Sequence, residues 1–151
     1  MKPLNIIISL FVFSTPACTG VTVEQTNSDV PAKIAKARDC PGCDLSNVDL
    51  KGANLKGANL KEAILDGANL SNANLAEADL SGASLNGANL NGANFNSANL
   101  KGVDLSNASL ISTNLVNANL RQAKIKTANV YLTNFCGATM PNGSRSMEGC
   151  S

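Results

Sequence analysis

The chain has 151 residues, enough for one domain, and carries 12 bases against 11 acids with 44% hydrophobic but only 3% aromatic residues. Near neutrality argues against nucleic acid as an electrostatic partner. The absence of histidine removes the commonest general base and the commonest metal ligand. With no Trp, one Tyr and four Phe, any core must be filled by small and medium aliphatics.

The N-terminus has the order of a secretory signal. Lys2 precedes an apolar run from Leu4 to Phe13, broken only by Asn5 and Ser9, and the small residues Ser14-Thr15-Pro16-Ala17 follow. A run of about ten apolar residues is too short to cross a bilayer and matches a signal h-region. Residues 1–17 are therefore expected to be a signal peptide and the mature protein to be exported. Ala17-Cys18 has the form of the end of a lipobox, in which Cys18 becomes a lipidated first residue and a membrane tether. Thr15 stands where such motifs usually carry Leu, so cleavage without lipidation after Ala17 or Gly20 is the alternative. Residues 18–29 are polar and read as a tether. Residues 30–42 read as an N-terminal cap, with a short helix over Val30 to Arg38, Pro31 in its first turn and Ile34 facing the next element.

From Cys43 to Asn142 the sequence holds a period of five for twenty repeats. The central residue is Leu except at Phe95, Ile125, Val130, Phe135 and Met140. Two residues earlier stands a small residue, Ala in fifteen repeats and otherwise Cys43, Val48, Val103, Thr113 or Thr133. Between them lies Asn or Asp in fifteen of the twenty. A period of five smears its apolar positions around an α-helix, and an odd spacing alternates faces in a long strand. The consistent solution is a three-residue extended piece, with Ala and Leu inward and Asn outward, followed by a two-residue corner. The second residue after the central one is Gly or Asn in thirteen repeats, as a left-handed turn position requires. Ser112, Gln122, Thr127 and Leu132 depart from this, which predicts a different turn at the C-terminal corners.

An Ala-(Asn/Asp)-Leu-x-x unit sustained over about two thirds of the chain resembles the pentapeptide-repeat proteins. The resemblance implies an all-β fold, a right-handed quadrilateral β-helix in which four repeats complete a coil, giving about five coils and a rod of roughly 24 Å at the usual strand spacing. Cys40-Pro-Gly-Cys43-Asp-Leu-Ser and Asn134-Phe-Cys-Gly-Ala-Thr-Met-Pro-Asn-Gly look like segments of exported cyanobacterial members, which points to the periplasm or thylakoid lumen. Some members of the family imitate DNA and inhibit a topoisomerase. That role needs a strongly acidic face, whereas residues 43–142 hold seven acids and seven bases.

A solenoid needs capped ends, and residues 143–151 are expected to fold back over the last coil. With Cys18 lipidated or removed, four cysteines remain in two local pairs, Cys40 with Cys43 and Cys136 with Cys150, which an oxidising compartment would bond. The Cys40-Pro-Gly-Cys43 spacing also admits thiol–disulfide redox chemistry, but catalytic versions lie near a βαβ unit. No nucleophile–base constellation is present, and acids such as Asp44 and Asp49 or Glu77 and Asp79 read as solvated, so a non-enzyme without cofactor or metal is expected. Period twenty brings Ile111 and Tyr131 to one corner in adjacent coils, with Val116 on the next, a candidate apolar partner patch. Lys51, Lys56 and Lys61 would ring the first coil near Lys33, Lys36 and Arg38, and Lys101 would neighbour Arg121, either as a solvated rim or as a surface for anionic partners or membranes.

Overall fold

The computed structural model describes residues 39–150. Within them the outward residue of each repeat forms a parallel bridge to the residue twenty positions later, from Asp39–Asn59 through Asn119–Thr139. An offset of twenty on a repeat of five makes four repeats per turn, so the chain winds as a four-sided β-helix. We number the sides by their central residues. Side one stacks Leu45, Leu65, Leu85, Leu105 and Ile125; side two runs from Leu50 to Val130; side three carries Phe95 and Phe135; side four runs from Leu60 to Met140.

The ladder explains why the repeat is five residues long. Each three-residue piece donates upward twice and receives once, as in Leu45 N to Ile64 O at 2.7 Å, Asn47 N to Asp66 O at 2.8 Å and Ile64 N to Cys43 O at 2.9 Å. The corner then closes locally, as in Ala53 N to Leu50 O at 3.0 Å. Backbone polar groups are thereby paired coil to coil, and the interior receives only the small and central side chains. Leu50 through Leu90 are at 0% exposure on every side, and Ala58, Ala68 and Ala88 likewise. A buried Leu contributes about 1.5–3 kcal/mol, so a stack of them holds a rod that has few aromatics.

Side chains on the outer position are less passive than a simple outward reading implies. Asn69 Oδ1 accepts from its own corner, Ser71 N at 3.2 Å, while Asn69 Nδ2 donates to Asp49 Oδ1 one coil below at 2.9 Å. Asn94 and Asn114 continue such a ladder above Asn74, at 3.3 and 3.2 Å. Asn and Asp are thus selected because one short side chain both closes the turn and ties neighbouring coils. On side one, where Ser84 replaces the Asn or Asp that would close its own corner, Asp66 accepts from Asn86 N at 2.9 Å and from the Ser84 hydroxyl. Asn91 serves Ile111 N and Ser109 Oγ in the same way on side two, at 3.0 and 2.7 Å.

The corners correct one expectation. Ser112, Gln122 and Leu132 keep the same left-handed turn as the rest, with φ of 56, 63 and 56°. For Ser112 and Gln122 the reason is the ladder, since their N–H groups donate to Tyr131 O and Pro141 O at 3.0 Å. Only Thr127 departs from that turn, and its β-branched side chain is the reason. Its Oγ1 accepts from Asn107 N at 3.0 Å, in place of the carbonyl that the regular corner offers. Gly67 meets a second demand besides its φ of 67°, because a Cβ there would lie 2.5 Å from Asn47 Oδ1.

The N-terminal end differs from the expected boundary. The coil register starts before Cys43: Asp39 bridges Asn59, Cys40 takes a central position at 8% exposure, and Gly42 N donates to Lys61 O at 2.8 Å. Residues 39–42 of the expected cap therefore belong to the β-helix, because Cys-Pro-Gly satisfies the centre–corner–corner pattern. The expected helix over Val30 to Arg38, the signal peptide, the tether and Cys18 lie outside the described residues. At the other end the tail doubles back in antiparallel sense, Thr139 bridging Arg145. Gly137 N donates to Ser146 O at 2.9 Å and Ser146 N to Ala138 O at 2.8 Å.

Candidate functional site

The outward aspartates accept from their own corners, as Asp49 does from Lys51 N at 3.1 Å, whereas Glu77 pairs with Lys56. Ser46 lowers the Asp44 pKa by donating from its hydroxyl and its amide. Burial pushes the Asp79 carboxyl up, but donors from Ser81 and Asn99 and the charge of Lys61 outweigh it, and the net direction is down. Ser106 and Lys124 bring Asp104 down to about 2. A group that must deliver a proton near neutrality needs its pKa raised, so these shifts run against acid catalysis. Among the described residues no three His, Cys, Asp or Glu side chains gather as a metal site.

The cysteines form two bonds of different setting. Cys40 and Cys43 lie 5.5 Å apart between Cα atoms and are 8% and 4% exposed, so their bond is shielded at the base of the rod. Cys136 and Cys150 lie 4.8 Å apart across a separation of 14 residues, at the outside of the last coil, where they pin the returning tail.

Basic residues distribute as the period requires. Lys51, Lys56 and Lys61 occupy three successive corners and are exposed. Lys56 pairs with Glu77 at 3.1 Å and Lys61 with Glu62 at 3.8 Å. Lys33, Lys36 and Arg38 lie outside the described residues. Gly102 N donates to Arg121 O at 2.8 Å, which places Lys101 and Arg121 at one corner in consecutive coils.

The candidate patch is brought together in part. Ser112 N donates to Tyr131 O at 3.0 Å, so Ile111 and Tyr131 stack in adjacent coils, whereas Val116 occupies the next corner. Ile111 and Val116 are half-buried, and Tyr131 is 66% exposed. The sequence reading missed that Tyr131 is flanked by Val130 at 40% and Leu132 at 68% exposure. The signal was present: a Val and a Leu replace the usual Leu and Gly or Asn in a single repeat.

What exposes them is the end of the ladder. The tail closes side four and part of side three of the last coil: Gly137 N bonds to Ser146 O and Met140 N turns back to Ser144 O at 2.7 Å, while Phe135 N has no backbone acceptor among the described residues. On sides one and two, Ile125, Thr127, Val130 and Leu132 have no backbone acceptor among the described residues. Their N–H groups form an unpaired sheet edge, a template for another strand. Beside it an open depression of about 720 Å³ is lined by Ala123, Ile125, Thr127, Met140 and Pro141, with Lys124 and Lys126 at its rim.

Comparison with known proteins places this architecture. A pentapeptide-repeat model matches in eight copies over residues 43–82, 73–110 and 104–140. No curated protein matches the chain. A pentapeptide repeat protein from the cyanobacterium Cyanothece 51142 is 28% identical, over 72% of this chain and 94% of that one, with a TM-score of 0.59. One from the Arabidopsis thaliana thylakoid lumen is 29% identical, over 80% and 72%, with a TM-score of 0.39. The family's architecture, shared by the Cyanothece protein, implies a right-handed hand for the coil seen here. The chain belongs to the pentapeptide-repeat family.

Proposed function

We propose that this chain is a non-catalytic protein-interaction module, exported to the periplasm or thylakoid lumen, that binds through the C-terminal end of its rod. The observation that carries the reading is the concentration of exposed apolar side chains there. Val130, Tyr131 and Leu132 stand together on the last coil, and among the described residues only Ile64 and Met147 are comparably exposed large hydrophobics. An exposed apolar cluster on an otherwise polar surface marks a contact site, and Ile111 and Val116 extend it down the wall.

The test is affinity purification from the native host with the unaltered chain and with an Ile111→Asp, Tyr131→Asp variant. Loss of a specific partner from the variant supports the reading; recovery of the same partner from both overturns it. Export rests on the Lys2-to-Ala17 pattern. Intact mass of the native protein tests it: a product beginning at Cys18 with acyl chains is a tethered rod, one beginning at Cys18 or Val21 without them is an untethered one, and an uncut N-terminus contradicts export.

A redox role for Cys40 and Cys43 is the alternative of a different class. Their burial supports a staple instead, since exchange requires a thiolate to reach sulfur. A Cys40–Cys43 potential within the range of known oxidoreductases would reverse that preference.

A further inference from the structure

The depression at the open end has a floor, a hydrogen-bonding wall and a charged rim, and together they specify an occupant. Ile125, Ala123, Met140 and Pro141 supply the apolar lining. Ile125 N and Thr127 N have no backbone acceptor, and Ala123 O no backbone donor, among the described residues. In the three lowest coils the equivalent three groups bind one extended segment of the next coil; in the fourth, Leu105 N to Lys124 O and Lys124 N to Val103 O, both at 2.9 Å, keep that register while Asn107 N turns to Thr127 Oγ1. A segment seated on Ile125 in that register places its middle side chain outward, as Lys124 is placed in the coil below, and its two neighbours inward over the floor.

The outward middle side chain would meet cations. Arg121, Lys124 and Lys126 are exposed around this end, and among the described residues only Lys124 of the three is ion-paired, with Asp104 at 2.9 Å. Residues 121–150 hold four bases and one acid, whereas residues 39–120 hold four bases and eight acids. The end is thus a basic cap on an acidic rod. Two copies meeting end to end would oppose like charges, which disfavours a symmetric pair at this surface.

Resting on the reading of the chain as an interaction module, we propose that side one of the last coil receives one extended segment of another protein, acidic at its middle position and aliphatic on either side, added as a further strand. This is β-augmentation, in which backbone bonds supply affinity while the side pocket and charges supply choice.

The test is an amide-shift titration of the full chain, disulfides intact, with a synthetic peptide of alternating Glu and Val and a matched peptide of alternating Lys and Val. The Glu–Val peptide is expected to move the amides of Ile125 and Thr127 and to bind about tenfold more tightly than the Lys–Val peptide, an advantage that falls with added salt. Lys126→Glu, a fully surface change, is expected to erase that preference. Equal binding of both peptides, shifts elsewhere on the rod, or no shift overturns the proposal. So do Ile125 and Thr127 shifts that depend on protein concentration alone, which would assign the edge to a second copy. Loss of partner capture by the Ile111→Asp, Tyr131→Asp variant reads the interaction module separately, so that reading stands or falls on its own.

Discussion

Leu132 holds a left-handed backbone, φ 56°, with its side chain 68% exposed. Other non-glycine residues in that conformation here are Asn, Glu, Ser or Gln. A Leu there strains against its own carbonyl and recovers little burial, whereas Asn adopts the conformation readily. Leu132→Asn is expected to raise stability by about 0.5–1 kcal/mol, seen as a rise of a few degrees in thermal unfolding, and to weaken partner capture. Stability gained with function lost is the signature of a residue kept for contact. Asp104 gives a pH prediction. Its folded pKa of about 2 lies below the usual carboxylate value, held there by Ser106 and Lys124. The bound proton is therefore favoured in the unfolded chain, and the stabilisation is complete above about pH 4 and lost as pH falls toward 2. Asp104→Asn is expected to flatten that part of the acid limb in denaturant titrations, modestly, because the group lies near the surface.

The coil is the element on which the packing predictions rest. Phe95 is 1% exposed on side three, between Leu75 and Leu115. Phe95→Ala is expected to cost about 3–5 kcal/mol, and Phe95→Leu, which restores the repeat, much less; denaturant midpoints decide. Thr113 and Thr133 show how a polar residue enters this core: their hydroxyls donate to Leu90 O and Leu110 O at 2.8 and 2.6 Å. The C-terminal tail is a separate element, pinned by Cys136–Cys150 and the Arg145 bridge. Replacing both cysteines by Ser removes roughly 3 kcal/mol of closure in the chain-entropy model. Exchange at Gly137 and Ser146 should accelerate while Leu85 and Leu90 stay protected, since a solenoid frays from its ends. Leu and Ala positions were legible because their order in sequence is their order in space. The Asn69–Asp49 tie, the Asp66–Asn86 substitution and the turn kept by Gln122 were not, because each depends on a partner about twenty residues away that no local propensity encodes. Thr127 was legible only as a departure from Gly or Asn, a signal it shared with Ser112, Gln122 and Leu132, which kept the regular turn.

As a whole molecule the chain is a ladder with one half-closed end. Period and composition announced the rod; they did not announce where it would remain open. The tail reaches sides three and four only, and that asymmetry arises from the turn at Pro141 to Gly143 and the length of chain that Cys150 allows. What results is a wall with an open edge, where apolar side two and basic side one are adjacent. Amide hydrogen exchange of the isolated protein tests this most directly. The account predicts fast exchange at Ile125, Thr127, Val130 and Leu132, beside slow exchange at Leu105, Leu110, Gly137 and Met140. Uniform protection around the last coil would show that the edge is already covered, and would contradict an end held open for a partner.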